Sequence, residues 1–229
     1  METAMVETGA RERVQFQEGP YLVKAVESDA EHRAAFRLRH RVFAEELRWV
    51  ACRVDGLEID DYDRRGVTIA VWGQESELVG MARILPGPGP FMLEREFRCF
   101  VSEDHVIRTE PDTMEITRLA VAPELRRRGE SLSVMRAIFK GMYQWCLNQN
   151  VRYCYLEVEQ NFLRVTRMLG FPCVPIGPAV IMPPGNTVSR AALLDLEHFR
   201  SLNAVQRPAF LHWMTTTEPE PPREAPAAA

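Results

Sequence analysis

Between residues 39 and 118 the sequence puts charge where charge is costly. Arg83 interrupts the apolar run Val79-Gly80-Met81-Ala82-Arg83-Ile84-Leu85, and Glu115 and Arg118 interrupt Met114-Glu115-Ile116-Thr117-Arg118-Leu119-Ala120-Val121. Upstream stand Arg39, Phe43 and Trp49, then an acidic stretch, Glu58-Ile59-Asp60-Asp61-Tyr62-Asp63. A charge inside an apolar strand is unfavourable unless it is paired. Arg83 and Arg118 therefore need carboxylates, and Asp60, Asp63 and Glu115 can supply them. From the residues alone two readings stand. One is a structural ion-pair network, or outward-facing strand positions, with Phe43 and Trp49 as core aromatics. The other is a charged site whose carboxylates can accept a proton. No Ser–His or Cys–His pair marks an enzyme nucleophile.

A second candidate is Ala122-Pro123-Glu124-Leu125-Arg126-Arg127-Arg128-Gly129-Glu130-Ser131. It reads as a strand end, a basic glycine-containing turn and a helix start, where free N–H groups and the helix dipole favour an anion. The segment resembles the Arg-x-x-Gly-x-Gly/Ala pyrophosphate loop of the GCN5-related N-acetyltransferases. Ser131 stands where a smaller apolar residue is expected. Arg126, Arg127, Arg128 and Gly129 are thus candidates for holding a donor phosphate. The same arginines, with Lys140, would equally suit docking of an acidic protein surface. The plain alternative is a solvated basic turn.

The elements that must carry these residues follow from pattern. Ser28 and Glu31 form a capping box that opens a helix. Phe36, Arg39, His40, Phe43 and Leu47 share one face of it, and the helix should fade near Trp49. Val50–Arg65, with five acidic residues, reads as a loop. Val67–Gly73 and Leu78–Leu85 read as strands joined by a polar turn, and the Pro/Gly run at 86–90 ends the second. Met114–Ala122 is a third strand and Glu130–Asn148 an amphipathic helix. Val151–Val158 is a strand, and Asn161–Leu169 a short helix closed by Gly170. Val174–Ile181 and Ala191–Leu196 read as edge strands. This order predicts an α/β fold, three layers (α-β-α) around a mixed sheet.

The chain has 229 residues, 46% hydrophobic and 26% charged, with a net charge of −4. That supports one core at residues 19–212, with a polar segment at 1–18 and a Pro/Glu/Ala tail at 213–229 expected outside it. No basic excess points to nucleic acid, and no apolar run has the length of a membrane span. The N-terminus has no apolar signal core, so a cytoplasmic location is expected. The five cysteines are odd in number and contain no CxxC spacing, which argues against a metal site or disulfide framework.

The spacing of the costly residues resembles that of the acyl-homoserine lactone synthases, the LuxI-type autoinducer synthases. That family carries Arg, then Phe four residues on and Trp six further. Two Asp follow eleven and fourteen residues past the Trp, then an Arg after twenty and a Phe after fourteen. Arg39, Phe43, Trp49, Asp60, Asp63, Arg83 and Phe97 fall at those steps, and Glu115 and Arg118 supply the last Glu and Arg. The likeness spans about residues 21–171. It implies a fold related to the GCN5-related N-acetyltransferases. It also implies acylation of the amine of S-adenosylmethionine by a fatty-acyl thioester, on acyl carrier protein or coenzyme A. Lactone closure with release of methylthioadenosine follows, without a further cofactor.

On that resemblance Glu115 is the first candidate for the base and Asp63 the second, with Arg83 and Arg118 beside them. Arg39 would hold the substrate carboxylate. Asp60 and Asp63 would pair with the cation or orient the arginines. Phe43, Trp49 and Phe97 would wall the site. Leu156 takes the place of a Thr that favours 3-oxo chains, which predicts an unsubstituted acyl group. A long-chain N-acyl amino acid synthase, another N-acyltransferase on this fold and a non-catalytic acyl-thioester binder are the alternatives.

Overall fold

The computed structural model describes residues 13–217. Nine strands form one sheet in the order β1-β2-β3-β4-β5-β6-β9-β7, with β8 also on β9. They are β1 Gln15–Glu18, β2 Tyr21–Ala25, β3 Val67–Trp72, β4 Leu78–Pro86, β5 Thr113–Val121, β6 Tyr153–Glu159, β7 Val174–Pro175, β8 Val180–Met182 and β9 Thr187–Asp195. Every pairing is antiparallel except β5 with β6. The helices are α1 Asp29–Arg39, α2 Met92–Arg95, α3 Pro123–Arg128, α4 Ser131–Gln149, α5 Gln160–Met168, α6 Leu196–Gln206 and α7 Pro208–Thr215.

The predicted capping box starts α1: Ser28 Oγ accepts from Glu31 N–H, and the Glu31 carboxylate accepts from Ser28 N–H. Arg39 leads into a π-helical stretch, His40–Glu46. The wider turn advances Phe43 and delivers Trp49, whose N–H donates to the Phe43 carbonyl.

Neighbouring residues of a strand point to opposite faces. Gly80 has space only for the side chains of Val134 and Ile138 on α4, whereas Arg83 meets the residues around α1. The two helices therefore cover opposite faces, which makes the predicted three layers. On the α1 side lie Arg83, Leu85, Glu115, Thr117 and Tyr155; on the α4 side lie Ile84, Met114, Ile116, Cys154 and Leu156.

The structure corrects several expectations. Residues 15–18, placed outside the domain, form β1, with Val14 and Phe16 in the core. The C-terminal limit at 212 falls inside α7, which buries Met214. Helices α6 and α7, not anticipated, close the α4 face. Residues 191–196 are no edge: β9 sits between β6 and β7, and 174–181 splits into two short strands.

Candidate active site

Three arginines and three acids meet beneath α1. Arg39 donates through Nε to Glu58 and through Nη1 to Asp63. Arg83 Nη1 lies 2.7 Å from Asp63 Oδ1, and its Nη2 2.9 Å from Asp60 Oδ2. Arg118 Nη2 lies 2.9 Å from Glu58 Oε1 and 3.0 Å from Asp60 Oδ2. The cluster is formally neutral, as buried charges require. Burial alone would raise the Glu58 carboxyl, but Arg118 and Arg39 outweigh it and hold it below its usual range. Asp60 is likewise held down, by Arg83, Arg118 and Arg39 against its burial. Asp60 and Asp63 also build their own loop: they form a reciprocal cap on the turn Asp61–Arg64.

Arg39 and Arg83 are fully buried, whereas Arg118 keeps 15% and Asp60 23% of its side chain exposed. The cluster thus has a closed interior and one open end. Arg118 sits at that end with φ of +53°, a strained value for a residue with a Cβ. Its conformation belongs to a bulge, where the β4–β5 register slips between Met81 and Arg83.

Glu115 does not join the arginines. Its two oxygens accept the N–H groups of Met92 and Leu93, at 2.7 Å each, at the start of α2. Met92 Sδ stands between it and the cluster, 3.4 Å from Arg83 Nη2. Across to β6, Glu115 contacts Glu157. Burial pushes the Glu115 carboxyl up to about 7, against the pull of its hydrogen bonds and of Arg83. Burial and then the Glu115 charge push Glu157 up as well. Two carboxyls in such contact hold one proton between them.

Strands β5 and β6 pair only from Thr113/Tyr153 to Ile116/Leu156. Beyond that point β5 stays with β4 and β6 stays with β9, so the sheet forks. A cavity opens on each side. On the α1 side is a cleft of about 1170 Å³, mouth included, walled by Phe43, Trp49, Phe97, Arg118 and Glu157. Phe43 and Trp49 stack at 6.1 Å, and Trp49 is 42% exposed. On the α4 side is an apolar pocket of about 730 Å³, mouth included, reaching Leu156, Met142, Phe162 and Phe171. Ile116, Thr117, Arg118, Glu157 and Val158 border both. Two ligands, one polar and one apolar, can meet through the fork.

Three cysteines, 146, 154 and 173, line the apolar pocket. Burial pushes the Cys173 thiol up to about 11 and raises Cys154, so neither presents a thiolate nucleophile.

The structure brings together Arg39, Asp60, Asp63, Arg83 and Arg118, with Phe43, Trp49 and Phe97 on the adjoining cleft. It departs from the expected roles in two ways. Arg39, enclosed and paired to Glu58 and Asp63, does not border the cleft, so it cannot reach a substrate carboxylate as expected. Glu115 is fully buried and borders neither cavity. The sequence reading missed Glu58 and Glu157 as site residues. Two steps before Asp60, Glu58 was visible as a third acid for three arginines. The basic segment is helix α3 rather than a turn, and Gly129 follows it at φ +75°. The side chains of Arg126, Arg127 and Arg128 lie outside the described part of the structure. Lys140 is excluded from docking, because it is buried against Glu18 and Trp213.

Comparison with known proteins decides among amine acyltransferases. The family described as autoinducer synthase matches residues 24–202. The chain belongs to the autoinducer synthase family. An acyl-homoserine-lactone synthase of Rhizobium radiobacter is 29% identical over 194 residues, 82% of this chain and 89% of that protein. An isovaleryl-homoserine lactone synthase of Bradyrhizobium diazoefficiens is 28% identical over 70% of this chain and 71% of its own length. Among solved structures, the CoA-dependent acyl-homoserine lactone synthase BjaI with SAM and isopentyl-CoA matches with a TM-score of 0.64. It is 25% identical, over 79% of this chain and 86% of that one. This autoinducer synthase is therefore an acyltransferase acting on small molecules. No helix among its described residues is long and apolar enough to cross a membrane.

Proposed function

We propose that the chain makes an acyl-homoserine lactone. The amine of S-adenosylmethionine, seated in the α1-side cleft, attacks a fatty-acyl thioester whose chain lies under α4. The observation that carries this is the fork: a charged aromatic cleft and an apolar pocket share a border at Thr117, Arg118 and Glu157. In this reading the Arg39–Asp63–Arg83 interior fixes Asp60, and Asp60 holds Arg118, which meets the charged end of the amino acid at the cleft. Phe43 and Trp49 face the sulfonium or the adenosine, and Phe97 closes the opposite wall. The Glu115–Glu157 pair receives the amine proton. The substrate carboxylate then attacks the γ-carbon, which closes the lactone and expels methylthioadenosine. The acyl donor, on coenzyme A or acyl carrier protein, enters past Gly129, with Arg126, Arg127 and Arg128 as its anion contact.

Product mass tests this. Incubation with S-adenosylmethionine and a panel of acyl thioesters should give an acyl-homoserine lactone and methylthioadenosine in equal amounts. A linear N-acyl amino acid without methylthioadenosine would make the chain an acyl amino acid synthase instead.

Two further outcomes follow. Trp49→Ala should raise the KM for S-adenosylmethionine, because a face-on cation contact contributes about 0.5–2 kcal/mol. Its half-open position predicts an unchanged melting temperature, which thermal unfolding checks. Leu156 is buried in the apolar pocket and has no hydrogen-bond donor to offer a 3-oxo group. Initial rates should therefore favour unsubstituted chains over 3-oxo chains of equal length. Leu156→Thr should narrow that ratio by up to about tenfold, the worth of one hydrogen bond.

A further inference from the structure

We propose that Glu157, rather than Glu115, is the group that takes the proton from the attacking amine, relaying a proton to Glu115 behind it. The inference rests on the acyltransferase reading above and assigns its proton path. Glu115 is enclosed on every side, with both oxygens committed to the N–H groups of Met92 and Leu93. No substrate can touch it without breaking the start of α2. Glu157 borders both the polar cleft and the apolar pocket at the fork, where the amine and the thioester must meet. Glu157 touches Glu115. Its Oε1 is buried with no hydrogen-bond donor against it. A buried acceptor of that kind costs about 1–3 kcal/mol when left alone, and an ammonium at the fork supplies the missing donor.

The step balances as a relay. The pair begins with one shared proton, on Glu157. An N–H bond of the ammonium breaks and an O–H bond forms at Glu157 Oε1. The proton on the other Glu157 oxygen passes to Glu115, so the pair ends with two protons and no charge. The freed nitrogen lone pair attacks the thioester carbonyl. The second proton that nitrogen loses goes to the departing thiolate sulfur, and the pair releases its extra proton to solvent. Met92 and Leu93 favour the charged form of Glu115, which returns the relay to its starting state.

The test is Glu157→Gln in the full chain, assayed with S-adenosylmethionine and straight-chain acyl-CoA thioesters. The amide keeps the shape and can still donate to Glu115, but it cannot pass on a proton. The expected result is a kcat lower by about 10²–10⁴-fold, with the KM for S-adenosylmethionine and the affinity for methylthioadenosine little changed. A variant that binds methylthioadenosine and keeps wild-type kcat overturns the relay. So does a loss of rate that tracks lost binding alone. If the Gln variant does not fold, Glu157→Asp carries the test: a lowered kcat at unchanged KM supports the relay and a wild-type kcat overturns it. A wild-type chain that forms no amide from these substrates fails at the underlying reading, a result distinct from any change confined to the variants.

Discussion

Arg83→Ala should abolish lactone formation and cost the fold about 3–5 kcal/mol, the range for removing one partner of a buried ion pair. Arg83 is fully enclosed, donates to Asp60, Asp63 and Thr117, and stands at the centre of the neutral cluster. Without it the cluster carries one excess negative charge, and Asp60 keeps Arg118 on Oδ2 but loses the guanidinium that spans both its oxygens. Asp60 in turn positions Arg118, the guanidinium at the open end. A displacement of about 1 Å in such a group can cost 10²-fold in rate. Asp63→Asn should act in the same direction, because Asp63 Oδ1 serves both Arg39 and Arg83. The checks are chemical denaturation for stability and product quantification for rate. A folded Arg83→Ala protein with wild-type turnover would remove the cluster from the account.

Glu115→Ala should also eliminate activity, through a different cause. The Met92 and Leu93 N–H groups lose their acceptor, at about 1–3 kcal/mol each. Met92 then no longer holds its place against Arg83, and Glu157 is left without the acceptor for its proton. Glu115→Gln separates these effects, because one amide oxygen still accepts while proton uptake is lost. Its stability should show a further signature. Burial lifts the folded Glu115 carboxyl from its ordinary 4.5 to about 7. The folded state therefore binds this proton more tightly than the unfolded chain. That contribution to stability is complete below about pH 4.5 and is lost as pH rises through 7. Glu58 and Asp60, held low by the arginines, change oppositely: they stabilise at neutral pH and lose this as pH falls. Relative to wild type, Glu115→Gln should gain stability between pH 5 and 8, measured by denaturant titration at each pH.

Residues whose chemistry is local were legible in the sequence. Ser28 and Glu31 cap α1 because a capping box needs only four consecutive residues. Arg83 and Arg118 announced acids because a buried guanidinium has few alternatives, and Asp60 supplies both. What was hidden depends on distant parts of the chain. Phe16 in β1 looks like a lone aromatic in a polar leader until β2 pairs with it. Glu157 shares a face of β6 with Tyr155 and Glu159 and alternates with Leu156 and Val158, a pattern any solvent-facing strand shows; only the fork turns it inward. The π-helical turn at His40–Glu46 moves Phe43 towards Trp49 by hydrogen bonding that no residue type specifies. Arg39 carries the signature yet lies behind the site, since spacing reports which residues assemble and not which of them faces the ligand.

In this reading the site is two-sided, joined through the gap between β5 and β6. A crystal structure of the chain with methylthioadenosine and a non-hydrolysable acyl-CoA tests it most directly. Adenosine should lie against Phe43 and Trp49 on the α1 side, the acyl chain among Met142, Leu156 and Phe171 on the α4 side, and the carbonyl beside Glu157 at the fork. Both ligands on one face of the sheet, with the fork closed between them, would contradict it.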